Sequence, residues 1–480
     1  MAEKKEHKFH NGWGLLLSVA APILFLVMMH FLTGIHFGEG TDWAMDRFLS
    51  GKLIADGGNH LYPVNIFLTA PVSLLYRLNP EFPWWKGLLF FLFVVGHAVI
   101  SFSAFRRRNI RLILIPLADL ALCFAYLYPA VNISHTFIAV LLSAAGYSVL
   151  ISEREKHGAV AGFILLELLA YCLDTKAMLS VQLFGIFILL SVCHAEKERM
   201  RVGFFKILLS LAFVLAVGTA GRALGGDRTN AFKTFESFAR MRDSYYSMQE
   251  MPSYDDVKEI LEEYHVEEKT WEDFAEHKTT EWPADRKLYK DLIQYARKMR
   301  PKRDFSDIMK AIYENSLLKQ EAMPVYILLI FSVLLMFLVV KFRYIRVFLS
   351  FALAHVITWG YLVFKGDMKE SLTIPLLFAE CMFLFMIVLS MLDVGKVFKK
   401  KKRLKQTITV IGLCIFGLFS FFTGRKAYRR TETERTVQKE ATFLLPYDPE
   451  EDESRIRSGE VIAVLGDQTK VICFRGNLYE

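Results

Sequence analysis

Apolar runs of about 18–22 residues, almost free of charge, recur along this chain and limit its fold more than any other feature. Each is about the length that crosses a hydrocarbon layer ~30 Å thick. They fall at roughly 13–33, 84–105, 111–129, 134–151, 159–173, 177–193, 203–220, 323–341, 346–364, 372–392 and 407–423, which makes about eleven spans. In lipid, backbone N–H and C=O groups must be satisfied within the segment, so such runs become helices. The expected fold class is an all-α polytopic membrane protein. Composition agrees: 53% of the 480 residues are apolar and 22% are charged, against about 45–50% and about 25% in a soluble domain. A soluble enzyme, a nucleic-acid binder and a disordered scaffold are thereby excluded. The net charge of +8 belongs to loops that face a membrane.

The N-terminus is basic through Lys4, Lys5 and Lys8, and the apolar run Gly12–Leu32 follows without a small-residue cleavage site. This reads as a retained first span. With the N-terminus in the cytoplasm, the inside loops hold Arg106–Arg108, Arg154 and Lys156, Lys197 to Arg201, Lys341 to Arg346 and Lys396 to Lys402. The short outside loops are poorer in Lys and Arg, as the positive-inside rule requires. That register holds only if His60–Leu78 does not span. It is expected to skim the outer surface, interrupted at Pro63 and Pro71.

Four regions follow. Residues 1–220 form a transmembrane module with an external acidic loop at 34–83, and 221–322 form an external helical insertion. Residues 323–423 supply the C-terminal transmembrane helices, and 424–480 an external tail. In the insertion, Ser253 with Asp256 and Thr270 with Asp273 resemble capping boxes, with Asp in place of Glu. Val257, Ile260, Leu261 and Tyr264 make one apolar face, and Phe305, Ile308, Met309 and Ile312 repeat the pattern. In the tail, Val461–Ala463 and Lys470–Phe474 flank Gly466-Asp467 as a small hairpin.

No phosphate-binding glycine loop, paired zinc-ligand spacing or nucleophile elbow occurs. Five of the six cysteines lie in apolar runs and no CxxC is present, so neither a disulfide framework nor a zinc site is indicated. The strongest cluster is Glu39-Gly-Thr-Asp42-Trp-Ala-Met-Asp46. Asp42 and Asp46, at i and i+4, share a helical face just outside the membrane. Such carboxylates could take a proton from a hydroxyl, and Glu39 and Asp46 could hold a divalent cation or an acceptor. Equally, negative charge in the first turn of a helix is favourable in itself by about 0.3–1 kcal/mol. His60 sits after a flexible turn and could meet a phosphate or simply lie at the interface. Trp84-Trp85 suits the interfacial aromatic belt, and Lys86 beside it could pair with a lipid phosphate. His97, Asp119, Glu167, His355 and Glu380 lie within apolar runs without regular spacing, where structural pairing is the simpler reading.

GTDWAMDRFLSG, HLYPVNIFLTAPVSLLYRLNPEFPWW and NISHTFIAVLLSAAGYSVL, with the aromatic and acidic rhythm of residues 235–274, resemble the C-type (GT-C) membrane glycosyltransferases. The nearest likeness is to a GT-C-like group of Gram-positive bacteria, and it covers most of residues 10–380. The resemblance implies a bacterial plasma-membrane protein with the insertion 221–322 outside. It implies inverting sugar transfer from a polyprenyl-phosphate-linked donor to a glycan or polymer acceptor on the outer face. Asp42 stands where the family has its catalytic acidic residue, and His60–Arg77 where the donor site is bordered. The chain has Asp174 and Lys176 at the outer end of span five, and Asp367 and Lys369 between spans nine and ten, where the group carries Arg. His60, Lys86, Lys176 and Lys369 would then offset phosphate charge. Two other readings are a lipid-linked saccharide flippase, and a catalytically silent relative that acts as an assembly partner.

Overall fold

The computed structural model describes residues 2–32, 36–37, 42, 45–46, 49–50, 64–107, 132–153, 157–195, 200–225, 234, 237–238, 240–242, 244–245, 251–275, 282–283, 285–299, 305–314, 322–339, 345–365, 370–393, 460–465 and 470–475. Expected spans 111–129 and 407–423 lie outside these residues. The other nine coincide with helices: α1 (Ala2–Leu32), α3 (Trp84–Arg107), α4 (His135–Glu153), α5 (His157–Leu173), α6 (Thr175–Ala195), α7 (Met200–Gly225), α12 (Met323–Val339), α13 (Ile345–Lys365) and α14 (Glu370–Asp393). Among the described residues, five helices are long and apolar enough to cross a membrane: α1, α3, α6, α7 and α13. Their outer faces carry large exposed apolar residues such as Leu24, Phe31, Leu209, Phe213 and Leu349. A surface of that kind belongs against lipid rather than water.

The segment expected to skim the surface is helical over Ile66–Leu78 (α2) and runs through Pro71 unbroken. Its first residues, through Pro63, are outside the described set. Thirteen residues rise only about 20 Å, too short for a straight crossing. Asn65 starts this helix. Its carboxamide oxygen accepts from the Phe67 N–H and its amide donates to the Gly218 carbonyl, at 3.2 and 2.9 Å.

α4 is the middle of the bundle, packed by α3, α5, α6 and α14. Its sequence explains the position. Nearly every residue from Phe137 to Ile151 is buried, as a helix that is apolar on all sides must be. Ala139, Ser143, Ala144, Ala145 and Gly146 let neighbouring backbones come close. Gly218 of α7 serves the same end, since a Cβ there would lie 2.3 Å from the Tyr171 ring of α5.

Two short strand pairs accompany the helices. His36–Phe37 (β1) pairs in parallel with Asn132–Ile133 (β2), in the register His36↔Asn132. This contact, with no signal in the sequence, ties the chain after α1 to the start of α4. Glu460–Leu465 (β3) and Lys470–Arg475 (β4) pair antiparallel, as expected of the tail.

The insertion has its own core. Tyr254–Glu263 (α8), Glu268–Ala275 (α9) and Arg286–Met299 (α10) enclose Phe238, Tyr245, Trp271, Phe274, Trp282 and Tyr289. The Ser253–Asp256 capping box is present. The Thr270–Asp273 start is not, because α9 begins three residues earlier: the Glu267 carbonyl accepts from the Thr270 and Trp271 N–H groups. Phe305–Ile312 (α11) then leads back toward the bundle and packs on α13.

Candidate functional site

β1 brings the loop after α1 against the start of α4, and Asp42 reaches that helix end. Its side chain is fully buried. One carboxylate oxygen accepts from the indole N–H of Trp85 at 3.0 Å, and the other from the backbone N–H of His135 at 3.1 Å. The His135 Nδ1 lies 3.1 Å from both oxygens. The carboxylate thus meets two N–H donors at the N-terminal end of α4. Ser134 caps the same helix, with its hydroxyl oxygen accepting from the Phe137 N–H at 3.1 Å.

Asp46 lies one helical turn further on. The Tyr76 hydroxyl of α2 donates to its carboxylate at 2.6 Å and accepts from the Trp85 backbone N–H at 2.9 Å. Burial and the bond to Asp46 hold the Tyr76 phenol above its usual pKa, so it remains a donor. Trp85 therefore joins the two acidic residues, through its ring to Asp42 and through its backbone and Tyr76 to Asp46. The interfacial-belt reading of Trp85 is corrected by this: it is wholly buried and bonded to a carboxylate. Trp84, with its indole on the Asn79 carbonyl at 3.0 Å, fits the belt better. Lys86 is half-buried beside Phe90, within electrostatic reach of Asp46.

Thr136, next to His135, donates its hydroxyl to Asp174 at 3.1 Å. Asp174 caps α6 by accepting from the Lys176 and Ala177 N–H groups, at 2.8 and 3.1 Å. Lys176 itself is exposed. Arg222, near the end of α7, donates to the Thr175 hydroxyl at 2.6 Å and lies over the Tyr171 ring. One end of the bundle thus gathers Asp42, Asp46, Lys86, Lys176 and Arg222. His60, Lys369 and Glu39 lie outside the described residues.

Sequence reasoning missed His135, Tyr76 and Arg222. The SHT context of His135 is plain in sequence, and the β1–β2 pairing is what carries it to Asp42. Among the described residues no group of three or more His, Cys, Asp or Glu side chains could hold a metal ion. The oxygens of Asp42 face N–H hydrogens; of the two residues considered for a divalent ion, Asp46 is engaged by Tyr76 and Glu39 lies outside the described residues.

Three of the five intramembrane ionisable residues fall into two local clusters, while His97 lies against the Phe93 and Phe378 rings and Asp119 is outside the described residues. Glu167 accepts from Ser143 and Gln182 at 2.8 and 3.0 Å, and Tyr147 donates to Gln182 at 2.7 Å. Glu380 accepts from the Trp359 indole at 2.7 Å and lies 3.1 Å from His355 Nδ1. Both join neighbouring helices, as the pairing reading expected.

Compared with known proteins, the chain matches no family model, no curated protein and no solved structure.

Proposed function

We propose that the protein is a membrane glycosyltransferase of the GT-C type, with about eleven spans. It would move a sugar from a polyprenyl-phosphate-linked donor to an acceptor on the outer face of a bacterial plasma membrane. The observation that carries this reading is the Asp42 carboxylate. It is held by Trp85 and His135 at the bundle end where Lys86, Lys176 and Arg222 also gather. A lipid tail on the donor explains why such chemistry belongs on a helical membrane scaffold.

In this reading the acceptor hydroxyl oxygen attacks the anomeric carbon while the bond from that carbon to the phosphate oxygen breaks. Polyprenyl phosphate leaves with the bonding electron pair, and the configuration inverts. The proton goes to the Asp42–His135 pair, which can share it between carboxylate and imidazole. Cationic side chains at the rim, Lys86, Lys176 and Arg222 with Lys369 and His60 added from the sequence, offset charge on the departing phosphate. The insertion 221–322 covers the acceptor side.

One observation favours a second reading. Both Asp42 oxygens are engaged within the protein, one of them by a backbone N–H of α4. A carboxylate used in that way could serve only to lock loop to helix, which suits a catalytically silent assembly partner. Purified protein in vesicles, offered radiolabelled polyprenyl-phosphate hexoses one at a time, separates the readings. Release of polyprenyl phosphate, or labelling of a water-soluble acceptor, supports the enzyme. Movement of labelled lipid between leaflets without cleavage supports a flippase, and binding of none of the donors supports the silent relative.

A further inference from the structure

The apolar arc of α11 is wider than the part of it that meets α13. Ile308 and Ile312 come up against Gly360 of α13. Phe305, Met309 and Tyr313 recur at i, i+4 and i+8 beside that seam and are 78%, 37% and 51% exposed. The remaining sector holds Ser306, Asp307, Lys310 and Glu314, with Lys310 and Glu314 paired at 3.9 Å. Three sectors therefore divide the helix: one on protein, one polar, and one apolar.

The surroundings say what meets the third sector. α13 runs antiparallel to α6, since Ser350 near its start bonds Ser191 near the far end of α6 at 2.5 Å. Gly360 therefore lies in the half of α13 nearer the bundle end that holds Asp174. The outer side of α13 beside α11 continues the apolar surface through Leu349, Leu353 and Phe364, which are exposed as a lipid-facing helix exposes them. The chain just before α11 is basic, with Arg297, Lys298, Arg300, Lys302 and Arg303. Aromatic residues and Met beside a cationic stretch are the composition of a helix that lies in the plane of an anionic membrane surface.

We propose that α11 is an interfacial membrane anchor. Phe305, Met309 and Tyr313 enter the boundary between headgroups and acyl chains of the bilayer, and the exposed Arg297 and Lys298 at the end of α10 face anionic headgroups. The anchor fixes the return of the insertion at the level of the bundle end, next to α13. It holds whether or not the protein transfers sugar.

Nitroxide labels at Phe305→Cys, Met309→Cys, Tyr313→Cys, Ser306→Cys and Lys310→Cys test this in the full chain with its native cysteines replaced. The protein is placed in vesicles of phosphatidylcholine with and without phosphatidylglycerol. The labels at 305, 309 and 313 should collide with oxygen more than with a water-soluble nickel chelate, at a depth of about 5–10 Å, and should sit deeper with phosphatidylglycerol present. Those at 306 and 310 should favour the nickel chelate. A uniformly aqueous pattern overturns the proposal, and so does shielding of 305, 309 and 313 from both reagents, which would mean that protein covers the face. Should the cysteine-free chain fail to fold, a diazirine phospholipid in vesicles with the unmodified protein serves instead. Cross-links on Phe305–Tyr313 support the anchor and their absence overturns it.

Discussion

Trp85 reports on the site at the scale of a single residue. Replacing it with Phe keeps the ring in its buried place but removes the indole donor from the Asp42 oxygen. A buried acceptor of this kind loses about 1–3 kcal/mol when its donor goes. Trp85→Phe should therefore lower the unfolding temperature of the detergent-solubilised protein and leave the Tyr76–Asp46 bond in place. Unchanged stability would mean that the Asp42 carboxylate is satisfied some other way. A pH effect follows from Asp256, whose carboxyl is held below its ordinary range by hydrogen bonds from Ser253. A depressed carboxyl stabilises the fold above its unfolded-state pKa, and that contribution is lost as pH falls through the lower folded value. Hydrogen exchange in the first turn of α8 should thus accelerate in that acidic window, after correction for intrinsic rates. Asp256→Asn should remove this pH dependence.

Turns and close approaches decide the outcome at the scale of elements. α8 ends with His265 at φ 57°, where the Val266 N–H returns to the Leu261 carbonyl at 2.9 Å. Glycine is the favoured residue in that left-handed position. His265→Gly should slow exchange of the α8 amides, consistent with a gain of about 0.5–1 kcal/mol; faster exchange would show that the imidazole contributes to the turn. At Gly218 the direction reverses. A side chain there would strike Tyr171 and the α5–α7 seam, so Gly218→Val should cost about 1–3 kcal/mol, read as a lower unfolding temperature. The apolar runs located nine helices because length and charge alone decide them. The α9 start was misplaced because Glu267, outside the usual capping set, begins the helix. Nor could periodicity divide α11: Phe305 and Met309 share a stripe with Ile308 and Ile312, yet the latter pair lies at Gly360 of α13 while Phe305 is 78% exposed.

Across the described residues the molecule is a helical bundle around α4, with five helices there long and apolar enough to cross a membrane and an insertion that has a separate aromatic core. Asp42 and Asp46 stand out in the sequence as a candidate site because two carboxylates at i and i+4 beside an apolar run are unusual. Their partners were not. His135 and Trp85 are 93 and 43 positions away from Asp42, and only the β1–β2 pairing and the α1–α3–α4 packing bring them in. The proposed function places the acceptor hydroxyl at this carboxylate. The most direct test is the rate of polyprenyl-phosphate release from a radiolabelled hexose donor, measured for the natural protein and for Asp42→Asn in the same vesicles. The expected result is release by the natural protein and at least a ~100-fold loss in the variant, with both proteins eluting as the same folded species. Equal release by the two would contradict a catalytic Asp42.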